Sequence, residues 1–300
     1  MQGHLWTIVP HVRDMIIPPK PHGVPWRTKL EDSSVGTIQL TGILSEVPGA
    51  DRLVIIVHGM GGNARKGYVT RLAHYANAMG ISALRLNLRG ADEHGQDIYH
   101  GGLVADMTAA VTSPELAKYK HLHAIGFSLG GHMAASYARD ADPRMRSVAA
   151  LCAPIDLNAA CDYIDHPKRK FYRWHLLLGL RGCVDRLEDS RATWLDDSNL
   201  AEVKLMRAWD DLVTAPRFGF ASARDLYASI GVGGHLEELA IPTLFVFAKN
   251  DPMVTGAAIA PALQTSNPQI VVRHVPGGHV HMPAKAGVLK DSLKWLVSHS

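Results

Sequence analysis

The chain has 300 residues, of which 47% are hydrophobic and 20% are charged. This balance is typical of a globular protein and excludes a chain that is disordered over most of its length. The formal net charge of +3 is too small to predict a nucleic-acid partner. No apolar run reaches the roughly 18 residues that would predict a membrane span.

The amino terminus and the cysteines both bear on the compartment. The first six residues lack the charged region and the long apolar region of a signal peptide. Cys152, Cys161 and Cys183 form an odd and sparse set, which does not predict a disulfide framework. We therefore expect a cytoplasmic protein without integral membrane association.

The first third of the chain changes from proline-rich to apolar. Five prolines within residues 1–34 (Pro10, Pro18, Pro19, Pro21 and Pro25) predict that this segment contains no regular helix and wraps the surface. Residues 35–44 alternate partly, which predicts a peripheral antiparallel strand. The uniformly apolar run 53–57 predicts a central parallel strand. Its carboxyl end carries the glycine-rich turn 58–63, at the edge where such sheets bind ligands.

Apolar strands and amphipathic helices then alternate along the chain. The predicted strands after the first two are 81–88, 122–125, 147–152, 243–248 and 270–275, and the clearest predicted helices are 68–79, 103–111, 131–138 and 285–297. This alternation predicts a mostly parallel twisted sheet with helices on both faces.

The alternation is interrupted between residues 155 and 240. This stretch shows no clear strand, has several helical periodicities and carries Phe171, Tyr172, Trp174, Trp194 and Trp209. We interpret it as a helical cap inserted after the sixth strand, with residues 1–154 and 241–300 forming the core domain. The alternative is a set of extra helices packed on the sheet edge.

A Gly-x-Ser-x-Gly sequence lies between a predicted strand and a predicted helix. It reads Gly126-Phe127-Ser128-Leu129-Gly130. In this context it is typical of the nucleophile elbow of the α/β-hydrolase fold, in which a sharp turn projects the serine hydroxyl above the sheet. A glycine-rich turn with a helix-capping serine is the alternative. The strand before and the helix after favour the elbow.

A serine hydroxyl is a weak nucleophile that needs a base, and the base needs an orienting carboxylate. Asp251 follows the strand that ends at residue 248, and His279 follows the strand that ends at residue 275. Both therefore belong to the same edge of the sheet as Ser128, in the order serine, acid, histidine that this fold uses. We predict Ser128, Asp251 and His279 as the catalytic residues.

Several alternatives to these assignments stay open at the level of sequence. Asp251 could belong to an ordinary turn, with Asp210 or Asp225 as the acid, and His281 could be the base. His279 and His281 could also bind a metal, but their spacing without a nearby cysteine or glutamate is a poor zinc signature. We expect no metal and no cofactor.

An acyl-transfer reaction also needs backbone donors for the developing oxyanion. The amide of Leu129, directly after the serine, is one candidate. The amide of Met60 is the other, because the glycines around it at 59, 61 and 62 let the backbone turn toward the substrate. We predict Met60 and Leu129 as the oxyanion hole, and the Met60 side chain as part of the acyl pocket.

Short motifs along nearly the whole chain resemble the YheT-like hydrolases, bacterial relatives of the ABHD lipases in the α/β-hydrolase superfamily. These motifs are Gly3-His4-Leu5-Trp6-Thr7-Ile8, His58-Gly59-Met60-Gly61-Gly62, Leu88-Arg89-Gly90, Ile98-Tyr99-His100-Gly101-Gly102, Gly126-Phe127-Ser128-Leu129-Gly130-Gly131, Trp209-Asp210-Asp211-Leu212-Val213-Thr214-Ala215-Pro216, Asp251-Pro252 and Gly277-Gly278-His279. The resemblance implies the α/β-hydrolase fold, a Ser128–His279–Asp251 triad, and cofactor-free esterase or lipase activity.

We accordingly predict a serine hydrolase that cleaves small-molecule carboxylic esters with short to medium acyl chains. A lipase acting on longer-chain acylglycerols or phospholipids is an alternative, as are an acyltransferase and a peptidase. An intact triad argues against a non-enzymatic hydrolase-like protein. The basic and aromatic run 168–175 is interpreted as a solvated cap helix with an apolar inner face, with contact to a lipid surface as the alternative. The sequence gives no prediction of the oligomeric state.

Overall fold

One eight-stranded sheet organises the chain in the computed structural model, which describes residues 2–16, 19–20, 22–92, 94–187, 192, 195, 200–283 and 287–299. The strands are β1 (Val24–Asp32), β2 (Gly36–Ser45), β3 (Arg52–Val57), β4 (Ser82–Leu86), β5 (His121–Phe127), β6 (Met145–Leu151), β7 (Thr243–Ala248) and β8 (Ile270–Val275). Their order across the sheet is β1-β2-β4-β3-β5-β6-β7-β8.

Strand direction divides the sheet into two parts. β2 pairs antiparallel with β1 and with β4, whereas all the pairs from β4 to β8 are parallel. The carboxyl ends of β3, β5, β6, β7 and β8 therefore meet at one edge. The prediction of a mostly parallel sheet is confirmed, and so is the antiparallel strand at residues 35–44.

Helices cover both faces of the sheet. They are α1 (Gln2–Ile16), α2 (Gly67–Ala78), α3 (Val104–Val111), α4 (Leu129–Tyr137), α5 (Leu157–Asp165), α6 (Lys170–Val184), α7 (Met206–Trp209), α8 (Ala215–Arg217), α9 (Ala223–Ile230), α10 (Gly256–Gln264) and α11 (Val288–Val297). Residues 285 and 286, the start of the last predicted helix, lie outside the described residues.

The central strands are buried on both sides, as their uniform hydrophobicity predicts. In β3, Val54 and Ile56 join the apolar cluster that contains α2 and α11. Leu53 and Ile55 alternate with them and join the larger cluster on the opposite face, with α3, α4 and the helices between β6 and β7. The two-residue period of the strand thus splits its side chains between two cores.

The prediction that the first 34 residues contain no regular helix is wrong, because α1 continues through Pro10. Tertiary contacts hold the helix on both sides of the proline. Before it, Thr7 accepts a hydrogen bond from the backbone of His279. After it, Asp14 forms a bidentate ion pair with Arg71 at 2.6 Å. These contacts compensate for the backbone hydrogen bond that is lost at a proline inside a helix.

Pro25 lies not in a helix but inside β1, opposite Ile43. β1 is the outermost strand of the sheet. A proline is compatible with an edge strand because one side of that strand has no partner strand, so no backbone N–H is needed there for a hydrogen bond. Pro18 and Pro21 are outside the described residues.

Between β6 and β7 the described residues form helices and turns without a strand. This segment includes a π-helical turn, Asp210–Thr214, between α7 and α8. Leu177, Trp209 and Leu226 are buried in the larger apolar cluster of the core, so the segment packs onto the sheet domain. Trp194 is not among the described residues. The division at residues 155 and 240 stays a prediction.

A buried ion network ties this helical segment to the core. The guanidinium of Arg89 donates to Asp32 and Asp97 at 2.9 Å and to Asp106 at 3.1 Å. Arg217, at the end of α8, donates to both carboxylate oxygens of Asp97 at 2.6 Å. Each charge therefore has an opposite charge within hydrogen-bond distance, as burial requires.

Candidate active site

Ser128 occupies the turn between β5 and α4 with φ 52° and ψ −120°. A positive φ is strained for a residue with a side chain and persists only where the surroundings impose it. Here the surroundings are crowded: a Cβ at Gly126 would lie 2.0 Å from the carbonyl oxygen of Gly130, and one at Gly130 would lie 2.2 Å from that of His58. Both glycines of the motif are therefore required for the close approach of strand and helix.

The structure brings Ser128, His279 and Asp251 together at the carboxyl edge of the sheet. Nε2 of His279 lies 2.9 Å from Oγ of Ser128. Nδ1 of His279 lies 2.9 Å from Oδ2 and 3.1 Å from Oδ1 of Asp251. An ionised carboxylate only accepts hydrogen bonds, so Nδ1 donates to it. Nε2 is then left unprotonated and can accept the serine proton.

The Asp251 carboxylate is itself held in place by the turn that follows β7. Its Oδ1 accepts hydrogen bonds from the backbone amides of Met253 at 2.8 Å and Val254 at 3.0 Å. One side chain thus both accepts the amides of its own turn and contacts the imidazole of His279. The side chains of Asp251 and His279 are almost fully buried, which strengthens the hydrogen bond between them.

Thr7 on α1 positions the histidine loop from a distant part of the sequence. Its hydroxyl accepts a hydrogen bond from the backbone N–H of His279 at 2.9 Å and donates to the carbonyl of Gly3 at 2.8 Å. Sequence reasoning assigned Thr7 no role. The one indication in the sequence that Thr7 matters was its place in a motif of the YheT-like hydrolases. A contact between residues 272 positions apart leaves no local sequence pattern.

The alternative acid and base residues lie elsewhere. His281 is buried, with Nε2 at 3.8 Å from a carboxylate oxygen of Asp14, and it makes no described contact with Ser128. Asp225 is exposed and accepts a hydrogen bond from the backbone of Ala221 at 3.1 Å. Asp210 bonds to side chains of its own helical segment. Neither acid reaches His279.

One group of potential metal ligands occurs among the described residues, and it overlaps the same site. Ligand atoms of Cys152, Asp251 and His279 lie within 4.8 Å of one another. The Asp251 and His279 atoms are already hydrogen-bonded to each other. Burial raises the pKa of the Cys152 thiol well above its usual value, which disfavours the thiolate that a metal needs. His281, the other member of the alternative metal-binding pair, is not part of this group.

Two tyrosines shape the turn after β3 by accepting its backbone N–H groups. The amide of Gly59 donates to the hydroxyl of Tyr68 at 3.0 Å, and the amide of Gly61 donates to that of Tyr99 at 2.8 Å. Sequence reasoning assigned neither role: Tyr68 was only the first residue of the predicted helix 68–79, and Tyr99 was only part of a family motif. Of the neighbouring amides, that of Met60 remains for a substrate.

The amides of Met60 and Leu129 donate to no protein group among the described residues. Leu129 is the first residue of α4, where backbone N–H groups have no partner within the helix and the helix dipole favours negative charge. The two predicted oxyanion donors therefore have free hydrogen-bonding capacity.

His58 fixes the same turn through a single tautomer. Its Nε2 accepts a hydrogen bond from the backbone amide of Leu88 at 3.1 Å. Nδ1, which lies 2.8 Å from the carbonyl oxygen of Gly59, must therefore carry the proton and donate. Complete burial lowers the pKa of His58 to about 4. The ring stays neutral and holds the turn after β3 against the segment after β4.

Two cavities meet at Ser128. The first, of about 110 Å³, runs beneath the helical segment and has mostly apolar walls, including Met60, Leu157 and Leu176. The second, of about 210 Å³, lies between α1, α6 and the turn after β3. Met60 lines both. Ser128 therefore adjoins two separate spaces, one on each side of Met60.

A family model described as the alpha/beta hydrolase fold matches residues 52–283. The match spans well over half of the chain, which therefore belongs to the α/β-hydrolase family. The chain is 27% identical to the putative esterase YheT of Escherichia coli strain K12, over 98% of this chain and 88% of that protein. It is 25% identical to a monoacylglycerol lipase of Saccharomyces cerevisiae, over 77% of this chain and 55% of that protein.

Solved structures agree on the fold. Est1E from Butyrivibrio proteoclasticus superimposes with a TM-score of 0.57 at 17% identity, covering 91% of this chain and 99% of that one. The α/β hydrolase GrgF from a Penicillium species gives a TM-score of 0.62 at 17% identity, with coverages of 92% and 99%. Within the described part of the chain, no helix is both long enough and apolar enough to traverse a membrane.

Proposed function

We propose that this protein, a carboxylic ester hydrolase by its relatives, cleaves esters through a covalent acyl-enzyme. Ser128 is the nucleophile, His279 the general base and acid, and Asp251 the group that orients the imidazole. The observation that carries the proposal is the pair of 2.9 Å hydrogen bonds that links the three side chains in series.

The reaction follows from these contacts. As Oγ of Ser128 attacks the ester carbonyl carbon, Nε2 of His279 takes its proton, and the carbonyl oxygen becomes an oxyanion facing the amides of Met60 and Leu129. Collapse of this intermediate breaks the bond to the alkoxy oxygen. The imidazolium of His279 protonates that oxygen, and the alcohol leaves. A water molecule then repeats both steps on the acyl-serine and releases the acid.

We further propose that residues 155–240 act as a cap that sets the acyl chain length. The first cavity is small and mostly apolar, which supports short to medium acyl chains. Each buried CH₂ adds up to about 0.8 kcal/mol, or roughly fourfold in kcat/KM. In a p-nitrophenyl ester series, kcat/KM should rise with chain length and then fall once the cavity is full. A steady rise up to long-chain esters would contradict the closed-cavity proposal.

An observation on α6 favours the lipase alternative as a second candidate. Tyr172 and Leu177 face inward, as the cap-helix interpretation predicts, but Phe171, Trp174 and Leu178 are at least half exposed. Leu5 on α1 is exposed as well. Phe171 also forms part of the wall of the second cavity and contacts the ring of Trp174, so an exposed apolar surface adjoins that cavity and is suited to contact with lipid.

The physical form of the preferred substrate distinguishes the esterase from the lipase. A closed-cavity esterase prefers soluble short esters, and a Trp174→Ser variant should leave its activity within about twofold, because an exposed surface substitution has little effect on the fold. A lipase that works at an interface prefers emulsified long-chain acylglycerols and loses that activity with Trp174→Ser. An amide, a thioester and an added alcohol acceptor, assayed in parallel, separate ester hydrolysis from peptidase and acyltransferase activity.

A further inference from the structure

A polar cluster interrupts the apolar wall of the first cavity. Asp210, at the start of the π-helical turn, is 8% exposed. Its Oδ1 accepts a hydrogen bond from the Thr214 hydroxyl at 2.6 Å, and its Oδ2 accepts one from the Tyr227 hydroxyl. Asp210, Thr214 and Tyr227 all line the cavity that contains Ser128 and His279. The cluster therefore faces the space in which the acyl group is proposed to bind.

The Asp210 carboxylate is not neutralised by a neighbouring cation. Within the described residues it forms no ion pair. Arg207 precedes Asp210 by three residues. It donates instead to Asp162 at 2.6 Å and to Asn158 at 3.2 Å. Burial raises the pKa of Asp210 to about 6, so the group is mostly ionised at and above neutral pH. A charged acceptor thus lies in a largely apolar cavity.

This acceptor has capacity that the protein does not use. A carboxylate offers about four lone-pair sites, and two of them are occupied by Thr214 and Tyr227. The adjacent Asp211 shows what a purely structural acid looks like in this segment: it is exposed and accepts a hydrogen bond from the backbone of Ala223 at 2.6 Å. Asp210, in contrast, is directed to the interior and lines the cavity.

We propose that Asp210 accepts a hydrogen bond from a hydroxyl group on the acyl chain, so that the preferred substrates are esters of hydroxylated acids. This inference rests on the proposed function, because it places the acyl group in the first cavity. A hydroxyl fits better than an ammonium group. A neutral donor loses much less hydration in an apolar cavity than a cation does, and both protein partners of Asp210 are already hydroxyls.

The test compares three p-nitrophenyl esters of matched length, whose acyl chains end in a hydroxyl, a methoxy or a methyl group, over a series of lengths at pH 8. Without a polar subsite, the hydroxyl ester is the poorer substrate, because an apolar wall penalises its desolvation. With the subsite, wild type should favour the hydroxyl ester over the methoxy ester by about tenfold or more at one chain length, since a hydrogen bond to a charged group is strong. The methoxy group brings an oxygen but no donor.

Asp210→Asn and Asp211→Asn form a matched pair of variants. Asp210→Asn should lower the hydroxyl-to-methoxy ratio of kcat/KM by about tenfold to a hundredfold, because its amide replaces the charge and adds a donor that suits the methoxy oxygen. Asp211→Asn should change none of the ratios.

Failure of the subsite and failure of the proposed function give different results. If wild type treats the hydroxyl and methoxy esters alike at every length, the subsite is refuted while Ser128-dependent hydrolysis stands; this comparison needs no variant to fold. If no ester is hydrolysed, the proposed function fails. The subsite is then judged by calorimetry with Ser128→Ala and the corresponding hydroxyl- and methyl-terminated amides, for which equal affinities refute it and tighter binding of the hydroxyl amide supports it.

Discussion

The hydrogen bonds of Asp251 predict how replacement of this residue by asparagine changes the protonation of His279. Oδ1 accepts two backbone N–H groups, from Met253 and Val254, while Oδ2 faces Nδ1 of His279 at 2.9 Å. An asparagine must keep its carbonyl oxygen at the Oδ1 position, because an NH₂ group there would oppose two donors. Its NH₂ group then faces Nδ1 of His279.

This orientation selects the wrong tautomer. Nδ1 becomes the acceptor, so the imidazole proton moves to Nε2, the atom 2.9 Å from Oγ of Ser128. The base can no longer take the serine proton. We expect kcat to fall by about 10⁴-fold, as such a tautomer change does in serine hydrolases, which corresponds to about 5 kcal/mol of transition-state stabilisation. The loss should equal or exceed that of most single truncations around the site.

The assay is steady-state hydrolysis of a short p-nitrophenyl ester at neutral pH, with thermal unfolding measured for each variant. Asp251→Asn should unfold near the wild-type temperature, because both turn hydrogen bonds are retained. Asp225→Asn, the same change at an exposed acid, should keep wild-type kcat. A folded Asp251→Asn that retains more than a tenth of wild-type kcat would refute the reasoning.

Two further predictions concern stability. Arg217→Met removes the bidentate partner of the buried Asp97 and should lower the free energy of unfolding by about 3 kcal/mol. Arg139→Met, at the exposed pair with Glu238, should lower it by less than about 1 kcal/mol. Denaturant titration measures both losses, and equal losses would contradict a role for burial. Burial raises the pKa of Asp210 from 3.8 to about 6, so between these pH values the folded state keeps a proton that the unfolded state has already released. The free energy of unfolding of wild type should therefore fall by about 2–3 kcal/mol relative to that of Asp210→Asn as the pH rises from about 4 to 6. A difference between the two proteins that stays constant across that pH range would show that Asp210 titrates normally.

The sheet was predictable because its central strands are uniformly apolar. The predicted strand 243–248 coincides with the buried β7, and 53–57 falls one residue short of β3. The predicted strand 270–275 coincides with β8, an edge strand that is partly exposed and is marked instead by its position in the alternation of strands and helices. A strand buried on both faces needs an apolar residue at every position, so the composition alone marks it. The position of Ser128, Asp251 and His279 at strand ends followed from the same pattern, and the structure brings these three side chains together. Their catalytic roles stay predictions.

The contacts that the sequence did not predict join distant segments. Tyr68, Tyr99 and Thr7 each accept one backbone N–H near the serine. A hydroxyl that accepts a main-chain hydrogen bond has no characteristic spacing, so the sequence does not predict its partner even where, as for Thr7 and Tyr99, the residue lies in a motif of the resembling family. The helix through Pro10 was missed for a related reason: local propensity argues against it, and tertiary contacts override that propensity. The sequence marked Asp210 as an alternative acid and as part of a family motif, but not as a cavity residue, because its burial in a cavity wall is a property of the fold.

Covalent labelling with a fluorophosphonate tests the central claim most directly. The reagent phosphonylates an activated serine, and mass spectrometry of the intact protein and of its peptides locates the adduct. The account predicts one adduct per chain, on the peptide that contains Ser128, with labelling abolished in Ser128→Ala and strongly slowed in Asp251→Asn. An adduct on any other residue, or undiminished labelling of Ser128→Ala, would contradict it.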